Sequence, residues 1–119
     1  KQYYFRHIGT NSDVYVFGAP IDMLSYITMN KENWQESSYV CLGGVAIDAL
    51  KNVLSTNEQI SKVYMCVDRD DAGDKTVKRI GDELNEMGYE WERILPENKD
   101  WNEDLTAGSE QTENFELTM

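Results

Sequence analysis

The chain has 119 residues and a formal net charge of −11, from 22 acidic and 11 basic residues. That length suits one domain, and the acidity argues against coating nucleic acid or an anionic membrane by charge alone. No apolar run approaches the ~18 residues that span a bilayer, and no signal peptide is visible after Lys1. We therefore expect a domain cut from a longer cytoplasmic protein, with no membrane partner.

The acidic residues are concentrated in the second half of the chain. Residues 1–67 carry six acids and five bases, whereas residues 68–119 carry sixteen acids and six bases. The change begins at Asp68, which makes this position the first one to explain.

The first elements in chain order are strands separated by a helix. Residues 2–8 are aromatic and predict a possible extra N-terminal strand, and residues 14–17 (VYVF) predict a buried strand. Gly18 ends that strand, and Pro20 suits the first turn of a helix. Residues 39–42 predict the next strand.

The middle of the chain predicts a loop and a second helix. Residues 33–38 are polar and typical of a loop. After Gly43 and Gly44, the apolar residues between Val45 and Leu54 recur at helical spacing.

The second half continues the alternation. Residues 63–67 are apolar without a break, as in a strand covered on both faces of a parallel sheet. A third helix is predicted from near Ala72 to Met87, with Gly88 at its C-terminal end. Residues 89–95 alternate more and predict a strand near an edge.

This order of elements predicts an α/β fold, with a mostly parallel four- to five-stranded sheet and helices on both faces. We expect a single domain over residues 1–105 and a polar tail or linker over residues 106–119.

The cysteines and the single histidine restrict the chemistry. Cys41 and Cys66 lie in apolar runs, which indicates buried free thiols in a reducing compartment, with a disulfide as the alternative. Because His7 is the one histidine, neither a zinc site of Cys/His spacing nor a Ser-His-Asp triad is supported.

The segment VDRDDAGD carries the strongest functional signal. Asp68 and Asp70 follow a buried strand, at the edge where open parallel sheets bind ligands, and Gly73 permits a sharp turn into the next helix. Close carboxylates repel unless a cation neutralises them, and Mg²⁺ prefers oxygen ligands. Capping of the helix by Asp70 or Asp71 is the alternative interpretation.

Other motifs fit this part of the chain less well. An EF-hand loop that starts at Asp68 would have Arg79 instead of Glu at its twelfth position. A phosphatase nucleophile at Asp68 would have Ala72 where Thr or Val is usual. Gly43 and Gly44 could present N–H groups to an anion or form only a tight turn.

Four segments between Val14 and Leu105 carry a family resemblance: VFGAPIDMLSY, CLGGVA, VYMCVDRDDAGDKTVKRI and ILPENKDWNEDL. Together they resemble the Toprim domain, the Rossmann-like metal-binding module shared by bacterial-type primases, topoisomerases and certain nucleases. The sequence looks most like Toprim domains of primase-like or uncharacterised proteins on mobile elements.

The resemblance implies a function and a set of site residues. It implies Mg²⁺-dependent (or Mn²⁺-dependent) primase-like nucleotidyl or phosphoryl transfer in a larger DNA replication or DNA-processing protein, whose flanking domains bind DNA or RNA. The implied metal ligands are Asp68, Asp70 and Asp100, and the implied supporting residues are Asp22, Gly43, Gly44, Gly73 and Asn102.

Gly18 departs from the family pattern. The family has a glutamate at this position, proposed as a general acid or base, whereas glycine can neither bind metal nor transfer a proton. The sequence therefore predicts either that a nearby carboxylate substitutes or that this is a catalytically degenerate Toprim module, which docks a partner or nucleic acid.

Overall fold

The computed structural model describes residues 5–42 and 47–108, and five strands in these ranges form one sheet. They are β1 (Arg6–His7), β2 (Asp13–Phe17), β3 (Ser38–Cys41), β4 (Lys62–Met65) and β5 (Glu90–Arg93). Their spatial order is β1-β3-β2-β4-β5, with β1 antiparallel to β3 and the other neighbours parallel. The predicted α/β fold with a mostly parallel sheet is confirmed.

Helices follow the parallel strands. The first, α1 (Pro20–Met29), follows β2; α2 (Asp48–Thr56) follows β3; and α3 (Asp71–Met87) follows β4. Residues 101–108 are also helical and are named the C-terminal segment. Gly88 ends α3 with a φ of 85°, the left-handed conformation that glycine adopts without strain.

Alternate strand residues point into two different cores. The aliphatic core lies between the sheet and the helices α2 and α3, and contains Val14, Val16, Val40, Val63, Met65, Leu50, Val53, Ile80 and Leu84. The aromatic core lies between the sheet and both α1 and the C-terminal segment, and contains Phe17, Met23, Tyr39, Cys41, Cys66 and Trp101. Because both faces of the sheet are covered, the central strands need no polar face, which explains their unbroken apolar runs.

A stack of three tyrosines crosses the aromatic side of the sheet. Tyr15 on β2 lies beside Tyr39 on β3 and Tyr64 on β4, with ring centroids 5.4 Å and 4.8 Å away, respectively. Such cross-strand pairs stabilise one register of the strands. Burial in this stack raises the pKa of Tyr15 to about 12.

Two stretches differ from the elements expected from sequence. Residues 33–38, predicted as a loop, contain a 3-10 turn at Trp34–Glu36, and β3 begins at Ser38. Ser38 is buried and accepts a hydrogen bond of 2.9 Å from the Gly9 N–H, so a satisfied polar side chain starts the strand.

The second difference concerns the expected tail. Residues 106–108 are helical and belong to the C-terminal segment, whereas residues 109–119 lie outside the described residues, so the polar tail over residues 106–119 stays a prediction. The segment forms because Asp100 caps it, accepting a hydrogen bond from the Glu103 N–H at 2.9 Å.

Two smaller expectations have clear outcomes. Cys41 and Cys66 are buried free thiols, as predicted. Within the described ranges, none of the helices combines the length and the apolar character that crossing a membrane requires.

Candidate metal centre

The carboxyl ends of the two central strands open into a cavity. The strands β2 and β4 lie side by side, and the chain continues from them into Gly18 and Asp68, respectively. The cavity measures about 300 Å³, and the residues around this end include Gly18, Ala19, Asp22, Asp68, Asp70 and Gly73. Ligands of open parallel sheets bind at such strand ends.

Three carboxylates meet at this edge of the sheet. One oxygen from each of Asp22, Asp68 and Asp100 lies within 4.8 Å of the other two. They come from three separate elements: the first turn of α1, the end of β4 and the cap of the C-terminal segment. We call this group the carboxylate cluster.

The cluster carries negative charge that its surroundings do not balance. Burial raises the pKa of Asp68, and the nearby charges of Asp22, Asp70 and Asp100 raise it further, whereas Lys99 lowers it. None of the three cluster carboxylates forms an ion pair with a lysine or arginine of the described residues. A bound cation would relieve this repulsion.

Asp22 is held in place although its charge is unfavourable. Its side chain is buried, and burial raises its pKa, as does the charge of Asp100. Hydrogen bonds from the backbone N–H groups of Asn102 and Trp101 act in the opposite direction, and the Asn102 N–H lies 3.2 Å from Asp22 Oδ1. These donors orient the carboxylate toward the cluster.

Asp70 lies at the same cavity but has another partner. It is the N-cap of α3, and its Oδ1 accepts a hydrogen bond of 2.7 Å from the Gly73 N–H. It is not one of the three residues whose ligand atoms converge. Gly73 is required here because a Cβ would overlap the carbonyl oxygen of Asp68.

Trp101 brings Asp100 to the sheet. The Trp101 ring is buried, and its Nε1–H donates to the carbonyl oxygen of Cys66 at 2.9 Å. The ring also packs edge-on against Tyr26 of α1, with the centroids 5.0 Å apart. Because Asp100 directly precedes this anchor, its carboxylate is placed beside the end of β4.

Two arginines fix the turn that carries Asp68. The Nη2 of Arg93 donates to the Asp68 carbonyl oxygen at 2.8 Å, and its Nη1 pairs with Asp74 Oδ1 at 2.6 Å. The Nε of Arg69 donates to the Pro96 carbonyl oxygen at 2.8 Å. These bonds join the turn to β5, to α3 and to the loop before the C-terminal segment.

The Toprim-like family matches residues 15–105, which is most of the chain. This chain belongs to the Toprim-like family. No curated protein sequence matches it.

Solved primase structures share the fold of this Toprim domain. It aligns with a chain of a complex of bacteriophage T7 lagging-strand DNA polymerase with primase domains bound to an RNA/DNA hybrid and dTTP. The TM-score is 0.65 at 18% identity, over 87% of this chain and 52% of that chain. The primase fragment of the bacteriophage T7 primase-helicase gives a TM-score of 0.63 at 20% identity, over 87% and 42% of the two chains.

A bacterial primase gives a further match. The zinc-binding and RNA polymerase domains of the Aquifex aeolicus primase align with a TM-score of 0.60 at 26% identity, over 87% of this chain and 25% of that chain. This Toprim domain thus spans about half or less of the length of the primase chains that it matches.

The site residues expected for the Toprim domain fall into separate groups in the structure. Asp22, Asp68 and Asp100 converge, and Asp70 lies at the cavity as a helix cap. The side-chain oxygen of Asn102 lies 3.4 Å from the Ser25 hydroxyl, outside the cluster. Gly43 and Gly44 lie outside the described residues.

Gly18 lies at the cavity, as expected of a residue at this strand end. A Cβ at this position would have no atom within 4 Å, and its φ is not in the left-handed region. Neither crowding nor backbone conformation therefore requires glycine here.

Sequence reasoning missed two features of the site. The family resemblance implies a supporting role for Asp22, whereas one of its carboxylate oxygens converges with those of Asp68 and Asp100. Sequence reasoning also missed the helical nature of residues 101–108, although Asp100 followed by Glu103 has the spacing of an N-cap and an acidic third residue.

Proposed function

We propose that this chain is the cation-binding Toprim domain of a larger DNA-processing protein, where it takes part in primase-like nucleotidyl or phosphoryl transfer on nucleic acid. The observation that supports this proposal is the convergence of Asp22, Asp68 and Asp100, none of which forms an ion pair with a lysine or arginine of the described residues.

The donor atoms suit a small divalent cation. Carboxylate oxygens are hard ligands, and oxygens that share one Mg²⁺ lie about 3–4 Å apart. The cluster oxygens lie within 4.8 Å of one another, so small side-chain rotations bring them to that spacing. Asp68, Asp100 and Asp22 would hold Mg²⁺ or Mn²⁺, and Asp70 keeps one carboxylate oxygen that Gly73 does not use.

A cation bound here would offset negative charge that develops on a phosphate oxygen. Hydrogen bonds from other residues of the chain orient these ligands. The Asn102 N–H donates to Asp22, and the Glu103 N–H donates to Asp100. The side chain of Arg93 donates to the backbone carbonyl of Asp68. These contacts restrict the positions of the three residues, which lowers the cost of ordering them around a cation.

A calorimetric titration of the 119-residue chain with Mg²⁺ and with Mn²⁺ tests the cation site. We expect Asp68→Asn to weaken binding about tenfold or more, since it removes a charged ligand, and the Asp68→Asn/Asp70→Asn variant to weaken it at least as much. Asp82→Asn changes the net charge equally on the exposed side of α3 and should bind as the wild type does. Equal affinity of the double variant and the wild type would refute the site.

The nucleic acid would be bound mainly by other domains of the full-length protein. The chain itself carries a net charge of −11, and one divalent cation offsets only a small part of it. The solved primase chains are longer than this domain, which leaves room for DNA- or RNA-binding domains beside it in the full-length cytoplasmic protein. A mobile-element setting stays a prediction.

A second candidate function follows from Gly18. Where the family has a proposed proton-transferring glutamate, this cavity has no side chain, and the open space at Gly18 means that a larger residue would fit. In this alternative, the domain binds a cation and a phosphate group but does not catalyse transfer, and it positions nucleic acid or docks a partner.

Restoring the glutamate in the full-length protein separates the two candidates. If the site is degenerate, Gly18→Glu should gain primer synthesis or DNA cleavage, while the matched Gly18→Gln variant, equal in size but unable to act as an acid or base, should not. Wild-type activity equal to that of Gly18→Glu would instead show that the domain is active without the glutamate.

A further inference from the structure

The cavity has a basic end opposite its acidic end. Ala72, Thr76 and Arg79 of α3 line it together with Asp68 and Asp70. These three helix residues lie at i, i+4 and i+7, on one face of α3. From Asp70 to Arg79 the helix rises about 13 Å, which separates the backbones of these two residues along α3.

Arg79 differs from the other arginines of the chain. Arg6 donates to Asn52, Arg69 to the Pro96 carbonyl, and Arg93 to Asp74 and the Asp68 carbonyl. Across the described ranges, Arg79 alone among the four arginines makes no hydrogen bond or ion pair. Its neighbour Lys78, in contrast, lies 3.7 Å from Asp82.

The guanidinium of Arg79 is exposed and is available to a ligand that enters the cavity. Arg79 pairs with no carboxylate of the described residues and borders a cavity whose other walls include Leu42, Val67 and Ala72. Arginine side chains on helices extend toward the N-terminal end, which here is the acidic end of the cavity. A guanidinium binds phosphate oxygens in a planar, bidentate fashion.

We propose that Arg79 binds a phosphate group inside this cavity, opposite the carboxylate cluster. The inference rests on the proposed function, because the cluster needs its cation before an anion can approach it. The cation would bind one part of the ligand, and Arg79 would bind a phosphate group in another part of it. Arg79 therefore acts as the residue that selects ligands bearing a phosphate at this distance from the cation.

Binding of pyrophosphate to the 119-residue chain in excess Mg²⁺, followed by calorimetry, tests the assignment. We expect Arg79→Gln to lose about tenfold in affinity, in the range of a charge-assisted hydrogen bond, and Arg79→Lys to lose less because it keeps the charge. Lys78→Gln is the matched control: it removes the same charge from the next residue and should bind within about twofold of the wild type. Unchanged binding by Arg79→Gln, an equal loss in Lys78→Gln, or no binding by the wild type would overturn the proposal.

A spectroscopic measurement reports contact rather than net charge. The Nε–H resonance of Arg79, assigned by its disappearance in Arg79→Gln, should shift when pyrophosphate is added to the Mg²⁺-bound wild type. A resonance that stays in place at saturating pyrophosphate would contradict direct binding.

Titration with Mg²⁺ alone distinguishes an error in the assignment of Arg79 from an error in the assignment of the cation site. Titration with Mg²⁺ alone should give the same affinity for Arg79→Gln and the wild type, since Arg79 contacts no cluster residue. If the wild type binds no Mg²⁺, the cation site is refuted. If the wild type binds Mg²⁺ but Arg79→Gln binds pyrophosphate as tightly as the wild type does, only the assignment of Arg79 is refuted.

The same titrations distinguish two sources of the phosphate group, a nucleotide and the phosphodiester backbone of a nucleic acid. A nucleoside triphosphate and a single-stranded oligonucleotide without terminal phosphates replace pyrophosphate in parallel titrations. An Arg79→Gln effect on the triphosphate alone identifies a nucleotide ligand, and an effect on the oligonucleotide alone identifies a phosphodiester. No effect on either one would overturn the proposal.

Discussion

The aliphatic core and the aromatic core occupy opposite faces of one sheet, and the two sides contribute differently to the site. Residues of α3, which covers the aliphatic core, line the cavity, whereas the aromatic side supplies two carboxylates of the cluster. The aliphatic core consists of valine, leucine, isoleucine, methionine and alanine side chains packed between the sheet and two helices. The elements over the aromatic core are α1 and the C-terminal segment, and they supply Asp22 and Asp100 to the cluster.

The difference shows how one small domain separates stability from function. Hydrocarbon packing on the aliphatic face is non-directional and stabilises the sheet without orienting any carboxylate of the cluster. On the aromatic face, the tryptophan N–H and the backbone donors make directional contacts that determine where each carboxylate lies. Substitutions on the two faces should therefore affect different properties.

The largest effect is expected on the aliphatic face. Leu84 is fully buried in α3, and Leu84→Ala should lower the free energy of unfolding by about 2–5 kcal/mol through lost burial and a residual cavity. Urea unfolding measures this loss, and calorimetry at low temperature should show that the folded fraction still binds Mg²⁺ normally. Weaker Mg²⁺ affinity of the folded variant would show that packing on the aliphatic face also affects the cation site.

An intermediate effect is expected from the tryptophan of the aromatic face. Trp101→Phe keeps a ring but loses the hydrogen bond to Cys66, which should cost about 1 kcal/mol of stability. It should also weaken Mg²⁺ binding, because Asp100 precedes this anchor.

A second tryptophan provides the control. Trp91 packs against the aliphatic core, and its Nε1–H donates to Asn85 Oδ1 at 3.0 Å. Trp91→Phe also loses one indole hydrogen bond but should leave the Mg²⁺ affinity unchanged. If both variants reduce the affinity equally, the placement of Asp100 does not depend on the aromatic face.

The smallest effect concerns the pH dependence of the chain without metal. Burial and the neighbouring carboxylates raise the pKa of Asp68 in the folded chain, so the folded state binds its proton more tightly than the unfolded state does. The contribution of Asp68 to stability is then most favourable below the unfolded pKa and is lost as the pH rises through the folded pKa.

Asp68→Asn removes this charge, so we expect the variant to be slightly more stable than the wild type at about pH 7, and the difference to be smaller at about pH 3, where carboxylates are protonated. Urea unfolding in a chelating buffer measures both values, with Asp82→Asn as the control on exposed charge. A variant that is less stable than the wild type at neutral pH would contradict a repulsive cluster.

Local patterns were sufficient to predict most of the elements. Unbroken apolar runs between turn residues indicated the central strands, and the spacing of Val77, Ile80 and Leu84 indicated the buried face of α3. These patterns succeed because strand and helix periodicity depend on neighbouring residues. Ser38 and residues 101–108 were missed because tertiary contacts there stabilise elements that polar sequences do not favour alone.

The sequence by itself determined the alternation of strands and helices, the membership of the Toprim-like family and the position of Asp68 at a strand end. Only the tertiary structure decided which acids converge. Asp22 and Asp100 are far apart along the chain, and the position of Arg79 at the cavity depends on where α3 lies. The physical reason is that secondary structure follows short-range spacing, whereas a binding site requires distances between elements that only packing sets.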